Sequence, residues 1–284
     1  MFKYINKMGL DTPTQLKEGL QQVKHFALDM DGTIYNGKTL FPFTIPFLEF
    51  LKENGIGYSF LTNNPSKSTA DYLSKLDKIG IKSSKDEIYT SAQATIDYIK
   101  HHHPTAQRLF ILGTPSMIIE FEEAGFISTS EDANDVPDML VVSFDMSLTY
   151  NRLCRASWWA SQNIPYIATN PAWGCPTDQP TILVDCGSIC ACIEGATGRK
   201  PDLVVGKPDP RMLSGILDRY NLQPHEVAMV GDRIYTDVKM AHNAGALGIL
   251  VMSGETTMEI AAESNLKPDI IAENLAEIQE MLKM

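Results

Sequence analysis

The chain has 284 residues, of which 44% are hydrophobic, enough to bury a proper core and to exclude global disorder. Its formal net charge of -11 argues against nucleic acid or an anionic membrane as a partner, so an anionic substrate needs a local positive site from a metal, a lysine or helix N-termini. No apolar run approaches the ~20 residues of a membrane span, Met1 to Lys24 lacks an apolar core of signal-peptide length, and five cysteines without a CxxC pair fit reduced thiols and a cytoplasmic location.

A short surface helix is expected over residues 14–23 and an apolar strand over 24–28, followed at once by Asp29-Met30-Asp31-Gly32-Thr33. Two carboxylates two residues apart behind a buried strand are costly, because an uncompensated buried charge loses several kcal/mol or shifts toward neutrality. Such a pair calls for a cation or for chemistry. Gly32 lets the chain turn sharply, and Thr33 is placed to brace that turn with its hydroxyl.

Residues 43–54 read as a helix stopped at Gly55, and 57–61 as a second buried strand running into Thr62-Asn63-Asn64-Pro65. Pro65 and Ser66 open a helix with Ala70, Leu73, Leu76 and Ile79 at helical spacing and Gly80 as its C-cap. Strand 109–112, helix 115–124, strand 139–143, helix 151–163 and strand 166–168 follow. Residues 201–205 lead to Gly206-Lys207-Pro208 and a helix to Tyr220. Strand 227–230 ends at Gly231-Asp232, and helix 237–244 and strands 248–251 and 269–271 complete the chain. His101, His102 and His103 read as a solvated helix end before Pro104, and Cys186, Cys190 and Cys192 as small residues packed on a helix, since zinc-ligand spacing and nearby histidines are missing.

This β-then-α order predicts an α/β fold, with a doubly wound parallel-sheet (Rossmann-like) core and an inserted α/β cap domain. The chemistry-bearing positions fall in two blocks. The division is therefore core at 1–89 and 200–284, and insertion at 90–199. Ligands of parallel sheets sit at the carboxyl ends of strands, where Asp29, Asp31, Thr62 and Asp232 are all expected, with Lys207 just past one.

Those groups suit phosphoryl transfer, which needs an in-line nucleophile, donors on the phosphoryl oxygens and a metal. Asp29 suits the nucleophile and Asp31 the acid/base that protonates the leaving oxygen and then activates water. Thr62 and the amide of Asn63 suit phosphoryl donors, and Lys207 neutralises the charge there. Asp232, with Asp29 and Asp31, is a candidate ligand for a hard cation, for which Mg²⁺ fits best. Asp237 is placed to orient Lys207 or metal-bound water. Trp173, in a loop, is a candidate substrate contact, whereas Trp158 and Trp159 read as packing residues.

The DxDGT run at Asp29–Thr33, the strand-terminal Thr62, Lys207 before a helix and the GDxxxTD run at Gly231–Asp237 resemble the haloacid dehalogenase superfamily of phosphatases. Leu61-Thr62-Asn63-Asn64-Pro65-Ser66, Tyr89-Thr90-Ser91-Ala92, Ala168-Thr169-Asn170-Pro171 and Gly198-Arg199-Lys200-Pro201 resemble its NagD-like, or p-nitrophenylphosphatase, branch. The resemblance implies Mg²⁺-dependent hydrolysis of small phosphate monoesters such as nucleotides, sugar phosphates or pyridoxal phosphate. It implies that Asp31 meets the metal through its backbone carbonyl, that the cap selects the leaving group, and that a homodimer forms through the cap. Where many relatives carry an acidic residue after Thr-Asn-Pro, this chain has Ala172. A phosphotransferase or mutase using the same aspartyl-phosphate, and a non-enzymatic phospho-acceptor module, are the alternative readings.

Overall fold

The computed structural model describes residues 19–175 and 180–284. Contacts divide them into two compact units, each built from separated stretches of chain. The first takes the described residues of Met1–Leu61 with Lys75–Tyr89 and Lys207–Met284; the second takes Thr62–Ser74 and Thr90–Gly206.

The first unit is organised around β1 (His25–Asp29), an apolar run that ends in a carboxylate. Its neighbours are β4 (Gly57–Thr62) and β13 (Val227–Gly231), both parallel to it, with Asp29 opposite Leu61 and Leu28 opposite both Phe60 and Val230. With β5 (Ile88–Thr90), β14 (Leu247–Val251) and β15 (Ile270–Ala272) they form a six-stranded sheet in the order β15-β14-β13-β1-β4-β5. The residues that match the predicted strand ends thus fall on one edge of parallel strands. Helix α1 (Thr44–Glu53) lays Phe47 edge-on against Phe26, their ring centroids 5.5 Å apart, and packs along α10 (Leu275–Leu282). Helix α7 (Arg211–Tyr220) packs against α8 (Lys239–Ala244).

In the second unit β6 (Arg108–Leu112), β7 (Ile127–Ser128), β8 (Met139–Val142), β9 (Tyr166–Ala168) and β12 (Leu203–Val204) form a five-stranded parallel sheet in the order β12-β9-β8-β6-β7. Helices α5 (Tyr150–Ser161) and α6 (Cys186–Thr197) close a core that contains Trp159, Tyr166, Cys186 and Cys190. Cys186 and Cys190 pack as small apolar residues, while Cys154 and Cys192 are exposed. The histidine run ends helix α3 (Ser91–His102), with His101 and His102 exposed. Trp158 and Trp173 are exposed. No helix among the described residues is long and apolar enough to cross a membrane.

The structure departs from expectation in several elements. Of the predicted N-terminal helix, residues 19–22 are helical and 14–18 lie outside the described residues. Helix α2 (Thr69–Lys78) starts four residues later than Pro65 suggests. The Asn64 side chain folds back to accept from Ser66 N (3.0 Å) and Oγ (2.6 Å), holding 64–66 as a turn. Ser68 and Asp71 then cap the helix reciprocally, Asp71 Oδ2 accepting from Ser68 N (2.9 Å) and Ser68 Oγ from Asp71 N (3.2 Å). The helix expected from Asp237 is preceded by a π-helical turn, Ile234–Val238, so α8 proper begins at Lys239.

A buried histidine in this sheet makes stability pH-dependent. His25 packs 4.4 Å from the Tyr220 ring and its Nε2 lies 2.8 Å from Ser59 Oγ, and burial lowers its pKa to about 4 from 6.5. Between those values the unfolded chain binds the proton and the folded one does not, so this group's contribution falls as pH drops from 6.5 towards 4, by about 3 kcal/mol in full. Urea unfolding should give a steeper fall of stability over that range in the wild type than in His25→Gln; parallel curves would refute the assignment.

Candidate active site

Asp29 closes β1 and is followed by a tight turn rather than more strand. Gly32 N donates to Tyr35 O at 2.8 Å and Ile34 N to Met30 O at 3.0 Å, with Gly32 at φ +83°. The chain then makes a small antiparallel hairpin, β2 (Tyr35–Asn36) and β3 (Thr39–Leu40), across Gly37-Lys38. The brace expected from Thr33 is not made by its hydroxyl, which is buried and has no hydrogen-bond partner among the described residues. Backbone bonds close the turn, and Thr44 Oγ1 supports it from α1 by donating to Ile34 O at 2.7 Å.

Beyond this turn three carboxylates converge. Asp29, Asp232 and Asp237 each present one oxygen within 4.8 Å of the others'. Lys207, 3% exposed, lies among them: its ammonium pairs with Asp29 and lies 2.7 Å from Asp237 Oδ1. Residues 178 positions apart in sequence are thereby in contact. Gly231 makes room for this, since a Cβ there would stand 2.3 Å from Asp237 Cγ. Arg233 N also donates to Asp237 Oδ2 at 3.1 Å, fixing the carboxylate across the π-helical turn.

The electrostatics follow from burial. Desolvation pushes the Asp29 carboxyl up to about 7; the Lys207 ammonium opposes this, while Asp237 and Asp232 add to it. Asp232 is likewise raised by burial, against the pull of the Glu255 N–H. Burial disfavours the Lys207 charge, but Asp237 and Asp29 outweigh it and hold the ammonium above its ordinary value. One ammonium against three clustered carboxylates leaves the site short of positive charge. Asp232 Oδ1 is buried without a hydrogen-bond partner among the described residues, whereas Oδ2 accepts from Glu255 N at 2.7 Å. Clustered hard oxygens with one buried oxygen unsatisfied fit a divalent cation.

The predicted residues do not all join this cluster. The exposed Asp31 carboxylate accepts from Gly37 N at 3.4 Å, at the head of the hairpin, and is not one of the three clustered side chains. The third clustered carboxylate is Asp237, which pairs with Lys207 as its expected role of orienting that lysine requires. Thr62 is the last residue of β4, directly after the partner of Asp29, and its Oγ1 accepts from Asn64 N at 3.1 Å. The Asn63 carbonyl accepts from Ser91 Oγ at 3.0 Å; both residues group with the second unit. Sequence reasoning missed Ser253-Gly254-Glu255-Thr256, just past β14, which wraps Asp232. A glycine between polar residues at a strand's carboxyl end was the available signal.

The family model described as haloacid dehalogenase-like hydrolase matches residues 26–127, and a second, HAD-hydrolase-like, matches 204–278. The acid sugar phosphatase of Staphylococcus epidermidis is 31% identical over 249 residues, covering 88% of this chain and 94% of its own. The crystal structure of 4-nitrophenylphosphatase from Thermotoga maritima is 40% identical with a TM-score of 0.88, over 93% of this chain and 99% of that one. A glycerol phosphate phosphatase from Mycobacterium tuberculosis, solved in complex with magnesium, is 25% identical with a TM-score of 0.84, over 93% of this chain and 79% of that one.

Proposed function

The chain belongs to the haloacid dehalogenase-like hydrolase family and is a phosphatase, and from that premise we propose that it hydrolyses small phosphate monoesters through a phosphorylated Asp29 with Mg²⁺ as cofactor. The observation that carries this reading is the convergence of Asp29, Asp232, Asp237 and Lys207 at one edge of the sheet. Sugar phosphates are the favoured substrate class, by likeness to the acid sugar phosphatase.

In this scheme Asp29 attacks phosphorus as the ester P–O bond breaks, and Asp31 gives its proton to the departing alkoxide. Asp31 then takes a proton from water, whose oxygen attacks the same phosphorus, releasing inorganic phosphate and restoring the Asp29 carboxylate. The exposure of Asp31, two residues past the carboxylate that Lys207 holds, suits a group that must exchange protons twice per turnover. Thr62 and the Asn63 amide are assigned to the phosphoryl oxygens, together with Lys207. Asp29, Asp232 and the main-chain carbonyl of Asp31 would hold the cation, which supplies charge neutralisation at the phosphoryl group. Residues 90–199 are assigned as the cap, with a homodimer through it, and cysteines without a CxxC pair favour the cytoplasm.

The test is phosphate release from p-nitrophenyl phosphate and a panel of sugar phosphates, nucleotides and pyridoxal phosphate, with Mg²⁺ or EDTA. Release with Mg²⁺ and its loss in EDTA are expected. A stable phosphoprotein without release would favour the acceptor-module reading, and transfer to a sugar-phosphate acceptor the phosphotransferase reading.

A further inference from the structure

Asp232 is gripped by a loop from another part of the first unit. Glu255 N donates to Asp232 Oδ2 at 2.7 Å, Thr256 N to Asp232 O at 3.2 Å, and Ser253 Oγ to Gly32 O at 2.7 Å. The carboxylate is enclosed by two glycines: a Cβ on Gly254 would stand 2.1 Å from Oδ2, and one on Gly32 2.4 Å from it. The same Glu255 that lends its N–H has its own carboxylate pinned from both sides. Tyr235 Oη donates to Oε1 at 2.5 Å, and Arg233 Nε lies 2.8 Å from Oε2. Arg233 and Tyr235 flank the start of the π-helical turn that carries Asp237. The loop and the turn are therefore stitched together twice, at Asp232 and again at its surface.

We propose that Glu255 is a positioning residue for metal binding. The Arg233–Glu255–Tyr235 clip fixes the N–H that holds Asp232 Oδ2, and so keeps Oδ1, the oxygen without a protein partner among the described residues, presented to the cation. This rests on the metal reading above. A carboxylate with one oxygen already held loses less rotational freedom on binding, and outer partners of a metal ligand act by such orientation. The clip is half-exposed, with Glu255 and Arg233 side chains 46% and 35% accessible, so it adds little to folding stability by itself.

The test is calorimetric titration of Mg²⁺ into EDTA-stripped protein with no substrate present, on the wild type, Glu255→Ala, which keeps the N–H but loses the clip, and Tyr235→Phe, which loses one hydroxyl. The expected result is a Kd raised about 10- to 100-fold in Glu255→Ala. A smaller rise is expected in Tyr235→Phe, with metal-free melting temperatures close to wild type in both. Wild-type affinity in Glu255→Ala overturns the proposal. So does a loss of affinity matched by collapse of the metal-free melting temperature, which would make Glu255 merely structural. Failure of the wild type to bind Mg²⁺ overturns the metal reading itself, and is distinguishable from both.

Discussion

Asp29→Asn should lower phosphate release by at least about 10⁴-fold, on the scale seen when a covalent nucleophile is removed. The substitution is nearly isosteric, so it keeps the end of β1 in place and still offers Lys207 an amide oxygen. What it removes is the electron pair that would form the new bond to phosphorus, since an amide is not a competent nucleophile here. Acid quenching of the wild type during turnover of labelled substrate should trap phosphate on the protein, and the variant should trap none. Equal rates in the two proteins would rule out Asp29 as the nucleophile, while a slow variant beside a wild type that never labels would point to direct attack by water.

Lys207→Met should damage stability as well as activity. Methionine fills much the same volume, but it leaves Asp29, Asp232 and Asp237 within 4.8 Å of one another with no buried cation from the protein. Removing one partner of a buried ion pair costs about 3–5 kcal/mol. The loss should depend on pH in a definite direction. Lys207 is the main group holding the Asp29 carboxyl down against burial, so in the variant its pKa rises above about 7 and further from the unfolded value of 3.8. Between those two values the folded variant binds the proton and the unfolded chain does not, so stability falls as pH rises through the window. The deficit relative to wild type should therefore be larger at pH 8 than at pH 6 in urea unfolding, and added Mg²⁺ should recover part of it. A deficit independent of both pH and Mg²⁺ would mean that the lysine contributes packing alone.

Much of this was legible in the residues because parallel strands buried on both faces announce themselves as apolar runs, and their carboxyl ends as the polar residues that stop them. His25–Asp29, Tyr166–Ala168 and Val227–Gly231 are of this kind, which is why the sequence alone assigns Asp29 and Asp232 to one edge. Lys207 was harder. It follows β12, a strand of the second sheet, yet reaches the end of β1, and no local pattern records that crossing. The hairpin after Asp31 carries an Asn36-Gly37 turn signal, but its strands have two residues each, too few to show alternation. The late start of α2 is not legible in the sequence because Pro65 is compatible with both a first turn and a loop, and Asn64, Ser68 and Asp71 make the choice. The grip of Ser253–Thr256 on Asp232 leaves only Gly254 between polar residues as its mark in the sequence, because it runs through main-chain N–H groups, which any residue can supply.

The grouping of residues 62–74 bears on how such a chain can be reshuffled by recombination. Thr69 Oγ1 donates to Glu120 and accepts from Gln93 Nε2 at 2.7 Å, Thr114 Oγ1 donates to Ser66 O at 2.8 Å, and Ser91 Oγ to Asn63 O. The stretch that follows β4 is thus built into the same body as Thr90–Gly206. A graft exchanging residues 90–199 between relatives would strand Asn63, Ser66 and Thr69 among foreign neighbours unless 62–74 travelled with it, so the heritable module is a two-piece one, and its shorter piece begins at Thr62.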